Sequence, residues 1–342
     1  MVINGIRFAD IFCGIGGFRY ALESAAQRHC IGTQCVFSAD IDTECQKSYY
    51  GNFAESPVGD ITQVAAESIP DFDLLLAGFP CQAFSIIGRM QGFDDTRGTL
   101  FFDLARILAE KKPAFFVLEN VKQLVGHNQG ETLKVIMQVL QELGYDAQYK
   151  VLNALDFGLP QKRERVWIVG SLHGLHDFEF PIGSVVMQSL ETLLEQDVPQ
   201  AFFASEKIKA KRLEKINVVP NHATIWHENK SGHVSALPYS CALRAGASYN
   251  YLLVNGERRL TPREMLRLQG FPESFKVVVN TSQIRKQVGN SLPVNVATHV
   301  IQSLLQSQKE HLGAHTKITN SGKVQATLPF EQLSERCVIG VG

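Results

Sequence analysis

Ile6-Arg-Phe-Ala-Asp-Ile-Phe-Cys-Gly-Ile-Gly-Gly-Phe18 runs from an apolar strand through three glycines into a helical pattern that continues to His29. Glycine frees the backbone for a tight turn and for close approach to a ligand, so this strand, turn and helix read as the first unit of a nucleotide-binding α/β sheet. The dinucleotide fingerprint G-x-G-x-x-G would require glycine at position 19, where the chain has Arg19. The turn could hold an adenosine cofactor other than NAD, with Asp40, at the end of the second strand, placed for its ribose hydroxyls; another kind of site and a structural turn are the competing readings.

The same alternation continues down the chain. Strands are predicted at Ile6–Phe12, Cys35–Ala39, Asp73–Ala77, Ala114–Leu118, Tyr149–Asn153 and Val166–Gly170, with helices at Gly17–His29, Thr43–Phe53, Leu100–Lys111 and Thr132–Leu143. This rhythm predicts an α/β fold with a mostly parallel, doubly wound sheet, whose ligands sit at the carboxyl ends of its strands. From Phe178 to about residue 257 the rhythm is lost. It returns in a helix at Thr261–Gln269, with Thr261 as N-cap and Pro262 at its first position, and in a last amphipathic helix at Pro293–Leu305. Residues 312–342, rich in Gly, Ser and Thr, read as a loosely held tail.

The 342 residues are 45% hydrophobic and 20% charged, the range of a globular protein of one large or two modest domains. No run approaches the roughly 20 apolar residues of a membrane span. Residues 1–10 lack a basic segment followed by a long apolar core, so a secretory signal is not expected. The seven cysteines are irregularly spaced with no C-x-x-C pair, which fits a cytoplasmic protein without a disulfide framework; no metal site is expected. Residues 1–170 carry 15 Lys+Arg against 20 Asp+Glu, whereas residues 200–290 carry 14 against 6. A basic segment joined to an acidic one suits a polyanion held by one part and a cationic ligand by the other; a solvated basic surface is the plain alternative.

Three further motifs carry chemistry. Gly78-Phe-Pro-Cys81-Gln places a cysteine at the carboxyl end of a central strand, with Pro80 fixing the backbone before it and a polar, glycine-bearing loop, Ser85 to Gly98, after it. Buried cysteines are commonly inert, so a structural thiol is the competing reading. Glu119-Asn120 closes an apolar strand, where a carboxylate is either partnered or functional. In Gln161-Lys-Arg-Glu-Arg165 alternation puts Arg163 and Arg165 on one face, where they could grip a phosphate or a base carbonyl.

Taken in order, Phe8-Ala-Asp-Ile-Phe-Cys-Gly-Ile-Gly-Gly17, Gly59-Asp-Ile61, Gly78-Phe-Pro-Cys81-Gln, Glu119-Asn-Val121, Gln161-Lys-Arg-Glu-Arg165, Arg263-Glu-Met-Leu-Arg-Leu-Gln-Gly-Phe-Pro272 and Gln287-Val-Gly-Asn-Ser291 closely resemble the DNA cytosine-C5 methyltransferases of bacterial restriction–modification systems. The resemblance covers roughly residues 5–177 and 255–305. It implies a catalytic domain at 1–177 that binds S-adenosylmethionine, a target-recognition domain at 178–284, and a C-terminal helix at 285–311 returning to the first domain. By the same resemblance Phe12, Gly14, Gly16, Gly17 and Phe18 lie beside the methionine moiety and Asp40 at the ribose. Ile41, Asp60 and Ile61 lie near the adenine, and Pro80, Leu100, Asn290 and Ser291 complete the pocket. Cys81 matches the nucleophile, Glu119 the residue that engages the base, and Arg163 and Arg165 the arginines beside it. Ser85, Arg97, Gln161 and Arg244 are the expected DNA contacts, Arg244 being read equally as an arginine packed on the smaller domain, with the Lys207, Lys209, Lys211 and Arg212 cluster gripping phosphates or facing solvent.

The chain departs from the family in three places, the first being Asp40, which is shorter than the glutamate usual there. Ile41 stands where relatives often carry an aromatic residue, and the Thr-Leu/Val/Ile pair of the recognition segment is matched only loosely by Ser235-Ala236. The implied partner is double-stranded DNA, bound by a monomer, with a companion endonuclease in the cell but not as a subunit. A transfer-RNA methyltransferase of the same superfamily would carry Pro-Pro-Cys, where this chain has Phe79 before Pro80, and a Cys-Phe-Thr motif, which it lacks. A non-catalytic DNA-binding relative would be expected to have lost Cys81 or Glu119.

Overall fold

The computed structural model describes residues 5–80 and 100–308. Its elements are β1 (Gly5–Ile11), α1 (Gly17–Gln27), β2 (Gly32–Ala39), α2 (Thr43–Phe53), β3 (Leu74–Gly78), α3 (Leu100–Lys111), β4 (Phe115–Val121), α4 (Glu131–Glu142), β5 (Asp146–Asn153), β6 (Gln161–Lys162) and β7 (Glu164–Ser171). There follow α5 (Glu206–Leu213), β8 (Ile225–Glu228), β9 (Val234–Leu237), β10 (Ser240–Cys241), β11 (Leu252–Val254), α6 (Pro262–Leu268), α7 (Thr281–Asn290) and α8 (Val294–Ser307). The tail expected at 312–342 lies outside the described residues.

Six strands form one sheet in the order β2-β1-β3-β4-β7-β5. The first four are mutually parallel, and β7 runs antiparallel to both β4 and β5. The reversal has a simple cause. A parallel neighbour needs a crossover, ordinarily a helix, whereas β5 reaches β7 through residues 154–163, which hold no α-helix. Strand side chains alternate between the two faces. Leu74 and Leu76 of β3 therefore join a core with α1 and α8, while Leu75 and Ala77 join a second core with α3 and α4.

The turn after β1 depends on its glycines. Gly16 caps α1 with φ 83°, and a β-carbon there would lie 2.3 Å from the Phe53 ring. Phe12 itself takes a positive φ of 56°, an unusual conformation for a bulky residue.

Residues 178–257, expected to lack regular rhythm, contain α5 and a three-stranded antiparallel sheet in the order β11-β8-β9. Strands of three or four residues are too short to show alternation, which is why the sequence pattern misses them. Trp226, Val234, Leu253 and Ala204 form a small core of their own. Arg212 is buried beneath it, donating to the carbonyls of Trp226 and Asn250 and pairing with Glu228 at 3.1 Å. It is therefore not a phosphate grip. α6 begins as its sequence predicts, with Thr261 and Glu264 in a reciprocal capping box and Pro262 at the first position. Glu264 is fully buried and held by Arg258 at 2.7 Å.

Candidate active site

The carboxyl ends of β1 and β2 meet at the glycine turn. Asp40 accepts from the Gly14 and Asp42 amides, both at 2.8 Å, so its carboxylate ties the turn to the end of β2. Burial raises its pKa while the two amides oppose the rise. Ile41, beside it, is 72% exposed. No atom stands within 4 Å of where a β-carbon of Gly14 would point, so that face of the turn is open. A β-carbon on Gly17 would lie 3.0 Å from Ser291 Oγ, so the end of α7 abuts the turn. Asn290 is exposed there. Asp60 accepts from Thr62 N at 3.0 Å, and Ile61 is buried in the same core as Phe79 and Phe101. Leu100 opens α3 half-buried, Pro80 is exposed, and Phe18 is buried edge-on to Trp167.

At the ends of β3 and β4, Gly78 pairs in register with Glu119. A β-carbon on Gly78 would lie 3.6 Å from Glu119 Oε2 and 3.9 Å from Phe18, so the absent side chain leaves room for the carboxyl group. Glu119 is 8% exposed and its Oε1 lies 2.8 Å from Arg165 Nε. Burial pushes the Glu119 carboxyl above its ordinary pKa, and Arg165 and then Arg163 pull against that rise. Asn120 was not singled out from the sequence as a positioning group. Its Nδ2 donates to the Phe79 carbonyl at 2.9 Å and its Oδ1 accepts from Val121 N at 2.7 Å. It thereby anchors the segment that leads to position 81; the signal is its place immediately after the strand-end carboxylate. Cys81, Ser85 and Arg97 lie outside the described residues.

Residues 6–306 match the family model "C-5 cytosine-specific DNA methylase", which spans most of the chain. This protein belongs to the C-5 cytosine-specific DNA methylases. It is 53% identical over 300 residues to the Type II methyltransferase M.HaeII of Haemophilus aegyptius, covering 87% of this chain and 92% of that protein. It is 40% identical over 316 residues to the Type II methyltransferase M.HhaI of Haemophilus parahaemolyticus, covering 88% and 95%. Among solved structures it resembles the S. pombe Dnmt2 methyltransferase, with a TM-score of 0.67 over 88% of this chain and 98% of that one. At 22% identity that likeness speaks for the fold alone.

Two DNA-side expectations for this methylase are corrected by burial. Gln161 is fully buried: its Nε2 donates to Leu268 O at 2.8 Å and Gln269 Oε1 at 3.0 Å, and its Oε1 accepts from Leu243 N at 3.0 Å. Both ends of the amide are committed to protein partners. Arg163, expected to grip a phosphate or base carbonyl, is 1% exposed. It donates to the carbonyls of Leu243 at 2.8 Å, Gly289 at 3.1 Å and Ser291 at 2.5 Å. Its guanidinium joins the basic segment to the end of α7 and reaches Glu119 only through its charge. Lys209 is committed as well, to Glu206 at 3.0 Å and Glu257 at 2.9 Å. Arg244 remains exposed, its guanidinium stacked 4.9 Å from the centroid of the Tyr251 ring.

Proposed function

We propose that this methylase transfers the methyl group of S-adenosylmethionine to C5 of a cytosine turned out of double-stranded DNA within one specific sequence. We further infer that it protects that sequence from a companion endonuclease, as the Type II designation of its relatives suggests. The observation that carries the reading is the buried Glu119–Arg165 pair facing Gly78, at the same sheet edge as the open glycine turn. When bound, the cofactor supplies an electrophilic methyl group. Asp40, Ile41, Asp60 and Ile61 would hold its adenosine part, the Phe12–Phe18 turn its methionine part, and Pro80, Leu100, Asn290 and Ser291 would complete the pocket.

The chain's own residues do the remaining work. C5 of cytosine is too electron-poor to attack a methyl group until a thiolate adds at C6, and Cys81 is the expected nucleophile. The addition pushes electron density onto N3. Glu119, whose acid form burial favours, donates a proton there, and Arg165 orients the carboxyl and offsets its charge when the proton leaves. After C5 is methylated, a base takes the C5 proton, the Cys81 thiolate departs as the C5–C6 double bond re-forms, and N3 returns its proton to Glu119, restoring the ring. The target carbon is inaccessible within a stacked duplex, so the base must leave the helix.

Residues 1–177 are proposed as the catalytic part, 178–284 as the target-recognition part and 285–311 as the returning helix, α8 packing on α1. A monomer on duplex DNA is the proposed assembly, and among the described residues no helix is long and apolar enough to cross a membrane. Tritium transfer from labelled S-adenosylmethionine into DNA tests the activity. Duplexes with 5-fluorocytosine at the target should form a cofactor-dependent covalent complex mapping to Cys81, because fluorine cannot leave C5 as a cation. An adduct on another cysteine would refute the mechanism.

A further inference from the structure

Arg244 is the one arginine of the 200–290 segment whose guanidinium has no hydrogen-bond acceptor or carboxylate among the described residues. Arg212, Arg258 and Arg267 pair with Glu228, Glu264 and Glu273. Arg259, Arg263 and Arg285 donate to backbone carbonyls. Arg244 is nevertheless held in place. Its backbone N–H donates to Tyr251 Oη at 3.0 Å, and its guanidinium lies over the Tyr251 ring, with Arg285 5.8 Å from the same ring.

The chain on either side is fixed as firmly. Leu243 is gripped through its N–H by Gln161 and through its carbonyl by Arg163. Arg285 Nη2 holds the carbonyls of Ala247 and Ser248, each at 2.7 Å. α7 passes so close beneath that a β-carbon on Gly289 would stand 2.3 Å from Ala245 N. The result is a planar, donor-only fork, exposed and without an acceptor among the described residues, on a firmly held backbone.

We propose that Arg244 is a specificity-determining residue that reads a guanine of the recognised sequence through its O6 and N7. The inference rests on the reading of residues 178–284 as the DNA-recognition part. Guanidinium has five donors and no acceptor. In the major groove guanine presents two adjacent acceptors, adenine an acceptor beside a donor, thymine one acceptor with a methyl group, and cytosine a donor. Only guanine matches both arms of the fork. A phosphate contact would not need this framing, because phosphates accept a cation from many directions and serve to position rather than to specify.

The test begins with wild-type protein and the Arg244→Ala and Arg244→Lys variants expressed in cells lacking cytosine methylation, their sites mapped by bisulfite sequencing. Duplexes carrying 7-deazaguanine in turn at each guanine of the mapped site are then assayed for kcat/KM. At one position the wild-type protein should lose roughly tenfold or more, the penalty of a broken bidentate contact. Arg244→Ala should show no penalty there, and its mapped site should accept other bases at that position alone. Arg244→Lys keeps the charge without the fork and should relax the same position while retaining affinity. The proposal is overturned if both variants keep every guanine requirement and bind all sequences uniformly more weakly, with a salt slope reduced by about one, the mark of a phosphate contact. It is equally overturned if no deazaguanine slows the wild-type protein. Wild-type protein that methylates no DNA would bring down the activity itself, an outcome distinct from either of these.

Discussion

Glu119 is costly to bury and useful because of that cost. Desolvation raises its pKa and Arg165 limits the rise, so the acid form needed at cytosine N3 persists to higher pH than in a free carboxyl group. The single-turnover rate should therefore fall as pH rises through the raised pKa. Glu119→Gln, which cannot release a proton, should lose that limb of the profile and react roughly 10²–10⁴-fold more slowly. A rapid-quench pH series on both proteins checks this, and an unchanged profile in the variant would remove Glu119 from proton transfer. Cys81→Ala should abolish methyl transfer while leaving the affinity for S-adenosylmethionine within about threefold by calorimetry, since the thiol's role is covalent. Asp10 makes a different prediction. It is fully buried in β1 with neither oxygen given a hydrogen-bond donor within bonding geometry among the described residues, and burial, helped by Asp40 against Arg19, pushes it up to about 8. The unfolded chain releases this proton near pH 4 and the folded chain near 8. The protonated carboxyl of Asp10 thus favours the folded state most below pH 4, and that contribution declines as pH rises through the window, by an amount of order a few kcal/mol. Asp10→Asn cannot ionise and should show a flatter Tm between pH 5 and 8.5; an identical slope in the two proteins would show that Asp10 does not carry the proton.

At the scale of elements, α7 does the joining. Its sequence, Thr281-Ser-Gln-Ile-Arg-Lys-Gln-Val-Gly-Asn290, is polar except for Ile284 and Val288, so its helical signal is only that one spacing with Asn280 ahead as cap. Those two residues face the core, Arg285 faces the Ala247–Ser248 carbonyls, and Gly289 lets the helix touch the Arg244–Ala245 peptide. Ser291 then arrives at the glycine turn. Gly289→Ala would gain about 1 kcal/mol of helix propensity but would drive a β-carbon into backbone that cannot rotate away. A net loss of about 1–3 kcal/mol in urea denaturation is expected, together with weaker discrimination between the recognised site and single-base variants. Unchanged stability and discrimination would mean that the segment moves aside at no cost.

Across the whole molecule, the proposed recognition segment shares its apolar side chains, Phe178, Leu243 and Leu252 among them, with the core around α1 and α8, and is also tied to the rest through its backbone. Gln161 and Arg163 hold Leu243 by its N–H and carbonyl, β10 pairs with β6 main chain to main chain, and Arg285 takes carbonyls. Such attachments are indifferent to side-chain identity. A graft of residues 178–257 from a relative of different specificity should therefore fold onto this scaffold and transfer that specificity, with Cys81 still the trapped residue. Bisulfite mapping of the chimera decides the matter: an active chimera that keeps the original site would place recognition elsewhere.

The strand and helix order of residues 5–171, the glycine turn and the cap of α6 were legible in the sequence because each is written locally, as a period of two or of 3.6, a positive φ or a cap three residues from its partner. The strand-end position of Glu119 was legible for the same reason. The reversed direction of β7, the small sheet of β8, β9 and β11, and the linking role of α7 were not. Nor was the inward turn of Gln161 and Arg163. Their sequence says only that an amide and a guanidinium stand two residues apart just ahead of a strand, which is equally what a DNA contact would need. Their partners are the backbone atoms of residues 243, 268, 289 and 291, and a main-chain carbonyl is the same in every residue. No pattern of side chains can announce which carbonyl will be within reach, so the tertiary packing of distant segments alone decided that these two residues hold the protein together while Arg244 was left exposed.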